Sequence, residues 1–453
     1  SLFSRSALVW PAVISAAVLV AYYPSWRIPL LFDDVESVAL NTSIRPPWSW
    51  SDLLSPPAAV TTKGRPLANL SFAFSYALSG LRPWGYHAVS LTFHLVAAWT
   101  LFGLVNRTLA RARKLGNQKA SAVAGWATLL WAVHPALVQS VSYISQRTEV
   151  MMGAFTLLTL YSFVRWIEDR ATWWAAVSIG AAMMGTLCKE SFVAVPLLIM
   201  VYDRSFFAES FRAAWGARHG YYALLGIVWP IALVLLSDVS KRGVGLGQGI
   251  SVLEYARTQL QAWNIYLGLS VWPFPLIFDR GVALLSSWRE ALPYLFFPSL
   301  LVGGTACALM RRSAVGFLLA AFVLLLLPTS SLVPVSGATI AENRLYLPSA
   351  AITVGFALAA SVLMRTRVWL SLIGTTVALA SVGTMARNAT LQDPISLWRQ
   401  TIARAPNNAR AHNNLGELLA SDPDSRDEAR QSYESALRLK PDYAVAHQNL
   451  GIL

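Results

Sequence analysis

Cysteine is nearly absent from this sequence. Its 453 residues include two, Cys188 and Cys307, both inside apolar segments, which excludes a disulfide framework and a thiolate metal site. Charge is scarce as well. Only 13% of residues are charged against 55% hydrophobic, and mean hydropathy is +0.48, so a soluble globular domain is excluded. Lysine accounts for six of 36 basic residues, an arginine bias that points to a GC-rich, bacterial coding sequence. No metal-ligand spacing occurs, and a divalent metal requirement is left open. His87 and His94, seven apart on one apolar run, read as structural. The run Gly243 to Gly249 lacks the lysine and the strand-to-helix setting of a phosphate-binding loop and reads as a loop only. The formal charge of +13 comes from short basic clusters rather than one stripe, so it reports orientation in a bilayer and no nucleic-acid partner.

Apolar runs are what the chain has in abundance. Eleven membrane spans are expected, near 7–23, 86–105, 120–134, 150–166, 172–188, 191–202, 220–236, 291–310, 314–330, 347–364 and 368–386. The segment 253–272 is a further candidate crossing. Residues 67–81 are apolar on most of a helix but interrupted by Asn69, Ser71, Ser75 and Ser79, which suits a helix lying along the membrane. Residues 107–119 carry five basic residues and no acid, and Arg165 with Arg170, Arg311 with Arg312, and Arg365 with Arg367 fall in loops of the same phase. Those loops are therefore cytoplasmic, and the odd span count places the carboxyl terminus outside.

After residue 386 the composition turns polar and repeats itself at a 35-residue offset: Trp398, Pro406, His412, Leu415 and Gly416 recur as Tyr433, Pro441, His447, Leu450 and Gly451. This pattern resembles tetratricopeptide (TPR) repeats, with an extra residue at 421–425. Such arrays need about three repeats and a cap, so more are expected beyond Leu453. The expected class is all-α: a polytopic membrane domain over 1–386 and helical repeats over 387–453.

Topology gathers the charged motifs on the outer face: Phe32-Asp33-Asp34-Val35-Glu36, Arg65, the stretch His134-Pro135 through Arg147 and Glu149, Lys189-Glu190, Asp279-Arg280 and Glu342-Asn343-Arg344. An ionisable group at the edge of an apolar run costs several kcal/mol (roughly) unless paired or solvated, so this convergence marks a site. A chemistry using carboxylates, cations and a membrane together is sugar transfer from a polyprenyl-phosphate carrier. Cations would stabilise the departing phosphate, and a carboxylate would take the proton from the acceptor hydroxyl. Asp34 is preferred as that base, with Asp33 the other candidate. Arg65, Arg147, Glu149, Lys189, Glu190 and Arg344 are expected around the donor phosphate and substrates, Arg344 in direct contact with the phosphate. A transporter or flippase, or a non-catalytic assembly factor binding peptides through its repeats, remains the alternative.

Seven phrases, in order along the chain, carry a family resemblance: Phe32-Asp33-Asp34; Arg65-Pro66-Leu67 with Leu70-Ser71-Phe72; Pro83-Trp84-Gly85-Tyr86-His87; His134-Pro135 with Glu149 fourteen residues past the proline; Lys189-Glu190; Phe278-Asp279; and Arg344-Leu345-Tyr346-Leu347-Pro348-Ser349. With the repeat tail, the chain resembles the transmembrane-and-TPR-containing O-mannosyltransferases and their bacterial relatives, glycosyltransferases of the GT-C class. The resemblance implies a lipid-phosphate-linked sugar donor, a protein Ser/Thr acceptor, inversion at the sugar, and an acidic residue of the first outer loop as the catalytic group. It also implies an integral membrane location, and the arginine bias makes a bacterial inner membrane the expectation ahead of an ER membrane. The family commonly has Asp at the position of Glu149, so the sugar is not carried over.

Overall fold

The computed structural model describes residues 5–58, 60–111, 116–236, 250–331, 333–335 and 337–453, with side chains from residue 9 onward. The glycine-rich run at 243–249 and part of the basic loop at 107–119 lie outside the described residues. Among those described, regular structure is helical throughout. In chain order the α-helices are α1 (Arg5–Ala21), α2 (Trp50–Leu54), α3 (Pro66–Ser79), α4 (Pro83–Arg111), α5 (Asn117–Ala132), α6 (Val138–Ser142) and α7 (Arg147–Asp169). Then come α8 (Trp173–Thr186), α9 (Val195–Phe206), α10 (Phe211–Leu225), α11 (Val228–Leu236), α12 (Val252–Val271), α13 (Trp288–Ala291), α14 (Phe296–Met310) and α15 (Ala314–Leu326). Last are α16 (Pro348–Leu363), α17 (Thr366–Thr390), α18 (Pro394–Arg404), α19 (Ala409–Ala420), α20 (Arg426–Leu439) and α21 (Ala444–Ile452).

Local chemistry sets these boundaries. Helices α3, α16 and α18 start on a proline, where the missing N–H is one the first turn leaves unbonded anyway. Ser210, Ser313, Asp393 and Asn408 accept a hydrogen bond from the first turn of α10, α15, α18 and α19.

Every expected span falls on a helix, and among the described residues four to six meet the length and apolarity of a full crossing on their own. Four segments are long and apolar enough to cross a membrane alone: Pro83–Arg111, Ile144–Asp169, Phe211–Leu236 and Thr366–Thr390. Two bent pairs, Asn117–Ala132 with Pro135–Ser142 (52°) and Trp288–Tyr294 with Phe296–Met310 (60°), raise the number to six if each is one span. Helices α1, α8, α9, α15 and α16 have 17, 14, 12, 13 and 16 residues, short of the roughly 20 needed for a bilayer core. Helix α12 has 20 residues but carries Glu254, Arg257, Gln259, Gln261 and Asn264, too polar for a span. The chain is an integral membrane protein all the same.

The interior is knit by a buried cluster of Tyr22, His94, Trp131 and Tyr346. The His94 Nε2 lies 2.9 Å from the Ala132 carbonyl and Nδ1 lies 2.9 Å from the Tyr346 hydroxyl. A carbonyl only accepts, so Nε2 carries the proton and Nδ1 accepts from the phenol. The Trp131 indole donates to the Tyr346 carbonyl at 2.8 Å, and the Thr384 hydroxyl donates to the Val133 carbonyl at 2.7 Å. The His94 and Thr384 bonds serve carbonyls freed where the chain breaks between α5 and His134-Pro135, and the Trp131 bond serves one just before α16.

Helices α18 to α21 pack in sequence, each against the next. The sequence repeat has a structural counterpart: His412 Nε2 lies 3.0 Å from the Pro406 carbonyl, and His447 Nε2 lies 2.8 Å from the Pro441 carbonyl. Helices α19 and α20 meet where Gly416 lies against the Tyr433 ring, so close that a Cβ there would fall 2.7 Å from it.

Gly153 on α7 makes the same kind of approach to Tyr346, where a Cβ would sit 2.5 Å from Cε1. Gly153→Ala is expected to cost about 1–3 kcal/mol by overpacking, read as a lower thermal transition in detergent. Gly180→Ala, where a Cβ meets open space, should show no such loss.

Candidate active site

Beyond α1 the chain makes a 3₁₀ turn, Tyr23–Arg27, and then Phe32 adopts a positive φ of 37°. That region is disfavoured for a bulky side chain and is held only where its surroundings impose it. The two carboxylates that follow end in different places. Asp34 is 1% exposed and accepts from the Leu31 N–H (3.1 Å), the Ser145 N–H (2.7 Å) and the Ser145 hydroxyl. Asp33 lines a cavity of about 460 Å³ together with Glu36, Arg65, Tyr143, Asp279 and Arg410. Its N–H donates to the Tyr143 hydroxyl at 3.0 Å. Both oxygens of Asp34, the preferred base, are thus taken up by hydrogen bonds, and Asp33, the other candidate, lines the open space.

Burial raises the Asp34 carboxyl to about 7, against the Ser145 and Leu31 hydrogen bonds, which lower it. Asp33 is also raised, first by burial; the Tyr143 hydrogen bond and Arg410 pull it down, and Glu36 and Asp279 push it up.

Four of the expected residues pair with one another. Arg65, at the start of α3, grips Glu190 in bidentate fashion, Nη2 to Oε1 at 2.6 Å and Nε to Oε2 at 3.0 Å. Lys189 is paired with Glu149; burial lowers its ammonium and Glu149 raises it again. Glu149 also accepts from the Asn343 amide (3.2 Å), whose nitrogen reaches Gln146 as well (2.7 Å). Asn343, Gln146 and Arg65 reach the cavity, so these pairs form its back wall.

Arg147 and Arg344 do not line the cavity. Arg147 is fully buried, with its guanidinium donating to the Tyr86 carbonyl (2.8 Å), the Ser71 carbonyl (3.0 Å) and the Ser75 and Ser90 hydroxyls (3.0 and 3.1 Å). It ties α7 to α3 and α4. Arg344 donates to the carbonyls of Ala338 (2.5 Å) and Thr339 (2.9 Å), folding back a loop whose Ala338 and Ala341 face the cavity. Arg344, expected to contact the donor phosphate, is engaged in holding this loop.

Sequence reading missed Tyr143, Trp398 and Arg410 as cavity residues. Trp398 and Arg410 belong to the polar tail, where Trp398 matches the repeat pattern and Arg410, opposite Val445 in the next repeat, is one arginine among several, so neither carries a signal of a site. Among the described residues no group of three His, Cys, Asp or Glu side chains has the geometry to hold a metal ion.

No protein-family model matches the chain. A protein O-mannosyl-transferase of Caenorhabditis elegans is 26% identical over 406 residues, which cover 84% of this chain and 54% of that protein. Protein O-mannosyl-transferase TMTC4 of Mus musculus is 26% identical over 479 residues, covering 90% and 63%. Protein O-mannosyl-transferase TMTC3 of Homo sapiens is 23% identical over 491 residues, covering 97% and 52%. The chain resembles the protein O-mannosyl-transferases. That is the family its motifs pointed to, and the similarity runs along most of the chain, while the chain spans only 52% to 63% of these relatives' length.

Asp34→Asn sets an amide N–H₂ against a backbone N–H, leaving a buried donor unmatched at a cost of about 1–3 kcal/mol. The carboxyl of the folded state, at about 7, holds its proton more tightly than the unfolded chain at ~3.9. Its contribution to stability is therefore full below that lower value and is lost as pH rises through about 7. Thermal melts of both forms should differ most in acid, with the gap narrowing towards neutrality.

Proposed function

We propose that this chain is the catalytic part of a GT-C type membrane glycosyltransferase. It moves a sugar from a polyprenyl-phosphate-linked donor to Ser/Thr hydroxyls of exported proteins, with inversion. Asp33 takes the proton of the acceptor hydroxyl, the freed oxygen attacks the anomeric carbon, and the bond to the carrier phosphate breaks. Arg65 receives the departing phosphate, since a guanidinium matches phosphate geometry. Asp34 holds Asp33 in place by bonding residues 31 and 145 across the gap. The names of the relatives make mannose the first sugar to test. The tail is read as TPR repeats that hold the acceptor, and the face bearing Asp33 and the tail as extracytoplasmic, in a bacterial inner membrane.

One observation carries this reading. Arg65 faces the polar cavity of Asp33, and helix α3, which it precedes, borders an apolar groove of about 900 Å³ lined by Trp48, Leu67, Phe74, Phe93, Met151 and Phe155. A phosphate at Arg65 leaves its isoprenoid chain room to lie along α3, which joins a charged head to an oily tail as such a donor requires.

Transfer from a mannosyl-phosphoprenol to an exported acceptor, read as a mass shift, tests the scheme. Asp33→Asn should cut the rate by about 10²–10⁴, the usual worth of a general base, and Asp34→Asn should cut it less. Because Asp33 acts as the carboxylate and burial raises it, activity should rise with pH along an acid limb above the ordinary ~3.9 of aspartate. Wild-type turnover by Asp33→Asn would end the carboxylate mechanism.

Arg65→Lys should lower turnover while leaving expression unchanged, because an ammonium cannot hold Glu190 and a phosphate in the same plane. Full activity in this variant would remove Arg65 from the donor site.

A further inference from the structure

The tail is not a separate appendage. Trp398, on α18, stacks edge-on to Phe32 (centroids 5.8 Å) and to Phe278 (5.5 Å), and Phe278 meets the Tyr143 ring at 5.2 Å. These four rings surround the segment that carries Asp33. One helix further on, Asn408 caps α19 through its oxygen and donates its amide nitrogen to the Asp279 carbonyl at 2.9 Å. Arg410 Nε reaches the Asp279 carboxylate at 2.5 Å, and its Nη1 donates to the Gly337 carbonyl. Both Trp398 and Arg410 line the same cavity as Asp33. The seam is tight. Gly281 sits at a φ of +52° with Asn408 so near that a Cβ would fall 2.3 Å from its Cγ.

We propose that the C-terminal helices complete the catalytic cavity, Trp398 closing one wall and Arg410 acting as a positioning residue that sets a cation opposite Asp33. The proposal rests on the reading of Asp33 as base. The charges and phenol acting on Asp33 are Glu36 and Asp34 from its own segment, Tyr143 from the segment before α7, Asp279 from the loop after α12, and Arg410 from α19, while Arg65 before α3 lines the same cavity with Gln139, Gln146 and Asn343. Among the charges that act on Asp33, three are acids and Arg410 is the cation; Arg65 also lines the cavity but is paired with Glu190, so without Arg410 the charge that offsets these acids at Asp33 is lost. Three carboxylates close to a fourth oppose its ionisation. Arg410 offsets them, and Asp279 fixes where its guanidinium stands. A tail that binds the acceptor would then bring the acceptor and the charge that readies Asp33 to the same place in one docking event.

The test uses the full chain in detergent and two readouts. Carbodiimide reacts with protonated carboxyls, so its labelling of Asp33 against pH, followed by mass spectrometry, reports the ionisation of that residue without turnover. The acid limb of kcat/KM reports it during transfer. Arg410→Gln should move the labelling midpoint up by about one pH unit or more, the size expected for loss of a neighbouring opposite charge, and should move the acid limb with it. Arg410→Lys should restore most of the shift. Gly281→Val, which changes no cavity residue but forces Asn408 away, should reproduce the Arg410→Gln shift by undocking the tail and withdrawing Arg410 with it. An unmoved labelling midpoint in Arg410→Gln overturns the proposal even if turnover falls, because Arg410 would then be a docking contact only. A wild-type protein that transfers no sugar would instead overturn the glycosyltransferase reading, and the labelling shift would still judge the role of the tail.

Discussion

Charge in an apolar helical body has to be paired, and that constraint decides which ionisable residues are left for chemistry. Glu342 shows it most fully. It is 2% exposed, receives Arg280 at 3.0 Å and Arg387 at 3.9 Å, and accepts from the Ile277 N–H at 2.6 Å. Burial raises its carboxyl and the two arginines pull it back, the balance expected where desolvation competes with Coulomb attraction. Lys189 with Glu149 and Arg218 with Asp203 are held in the same way. Removing one partner of such a pair leaves a buried charge uncompensated, which costs far more than the pair contributes. Asp33 differs. It is half-buried, and its surroundings are a cavity and a cation brought in by the tail.

The same pairing explains why the site was only partly legible in the sequence. Spacing and topology located Asp33, Arg65, Glu149, Lys189, Glu190 and Asp279 on one face, and the structure brings them around one cavity and its back wall. Which of two adjacent aspartates turns inward depends on the backbone at Phe32, and nothing in Phe32-Asp33-Asp34 encodes a positive φ there. Arg147 was misplaced for a related reason. A lone arginine before a long apolar helix reads as a cation for a ligand, yet four carbonyl and hydroxyl oxygens on α3 and α4 satisfy it. Ser71, Ser75 and Ser90 are the sequence trace of that socket, but Ser71 and Ser75 read as the polar side of a helix lying along the membrane, and Ser90 falls inside an expected span where it carries no signal.

The helical class was legible because apolar periodicity is strong in a chain with so few charges. The number of spans was not. Composition does not separate a helix long enough to cross a bilayer from an apolar one of 12 to 16 residues, as α9, α15 and α16 are. Arg410 illustrates the other limit. A repeat pattern explains α19 completely at the level of one helix packing on the next, and the contact it makes with Asp279 lies 131 residues away in the chain.

The break after α5 bears on how the molecule is assembled. The carbonyls of Ala132 and Val133 are served by side chains of His94 on α4 and Thr384 on α17. An unserved carbonyl in hydrocarbon costs several kcal/mol (roughly). His94 is synthesised before α5, but Thr384 follows Val133 by 251 residues. During synthesis the hydroxyl that serves the Val133 carbonyl belongs to a helix made much later, so the bend gains its final hydrogen bond only once α17 is in place. Chain closure is thus delayed to the end of the membrane domain, immediately before the helices that reach Asp33 emerge.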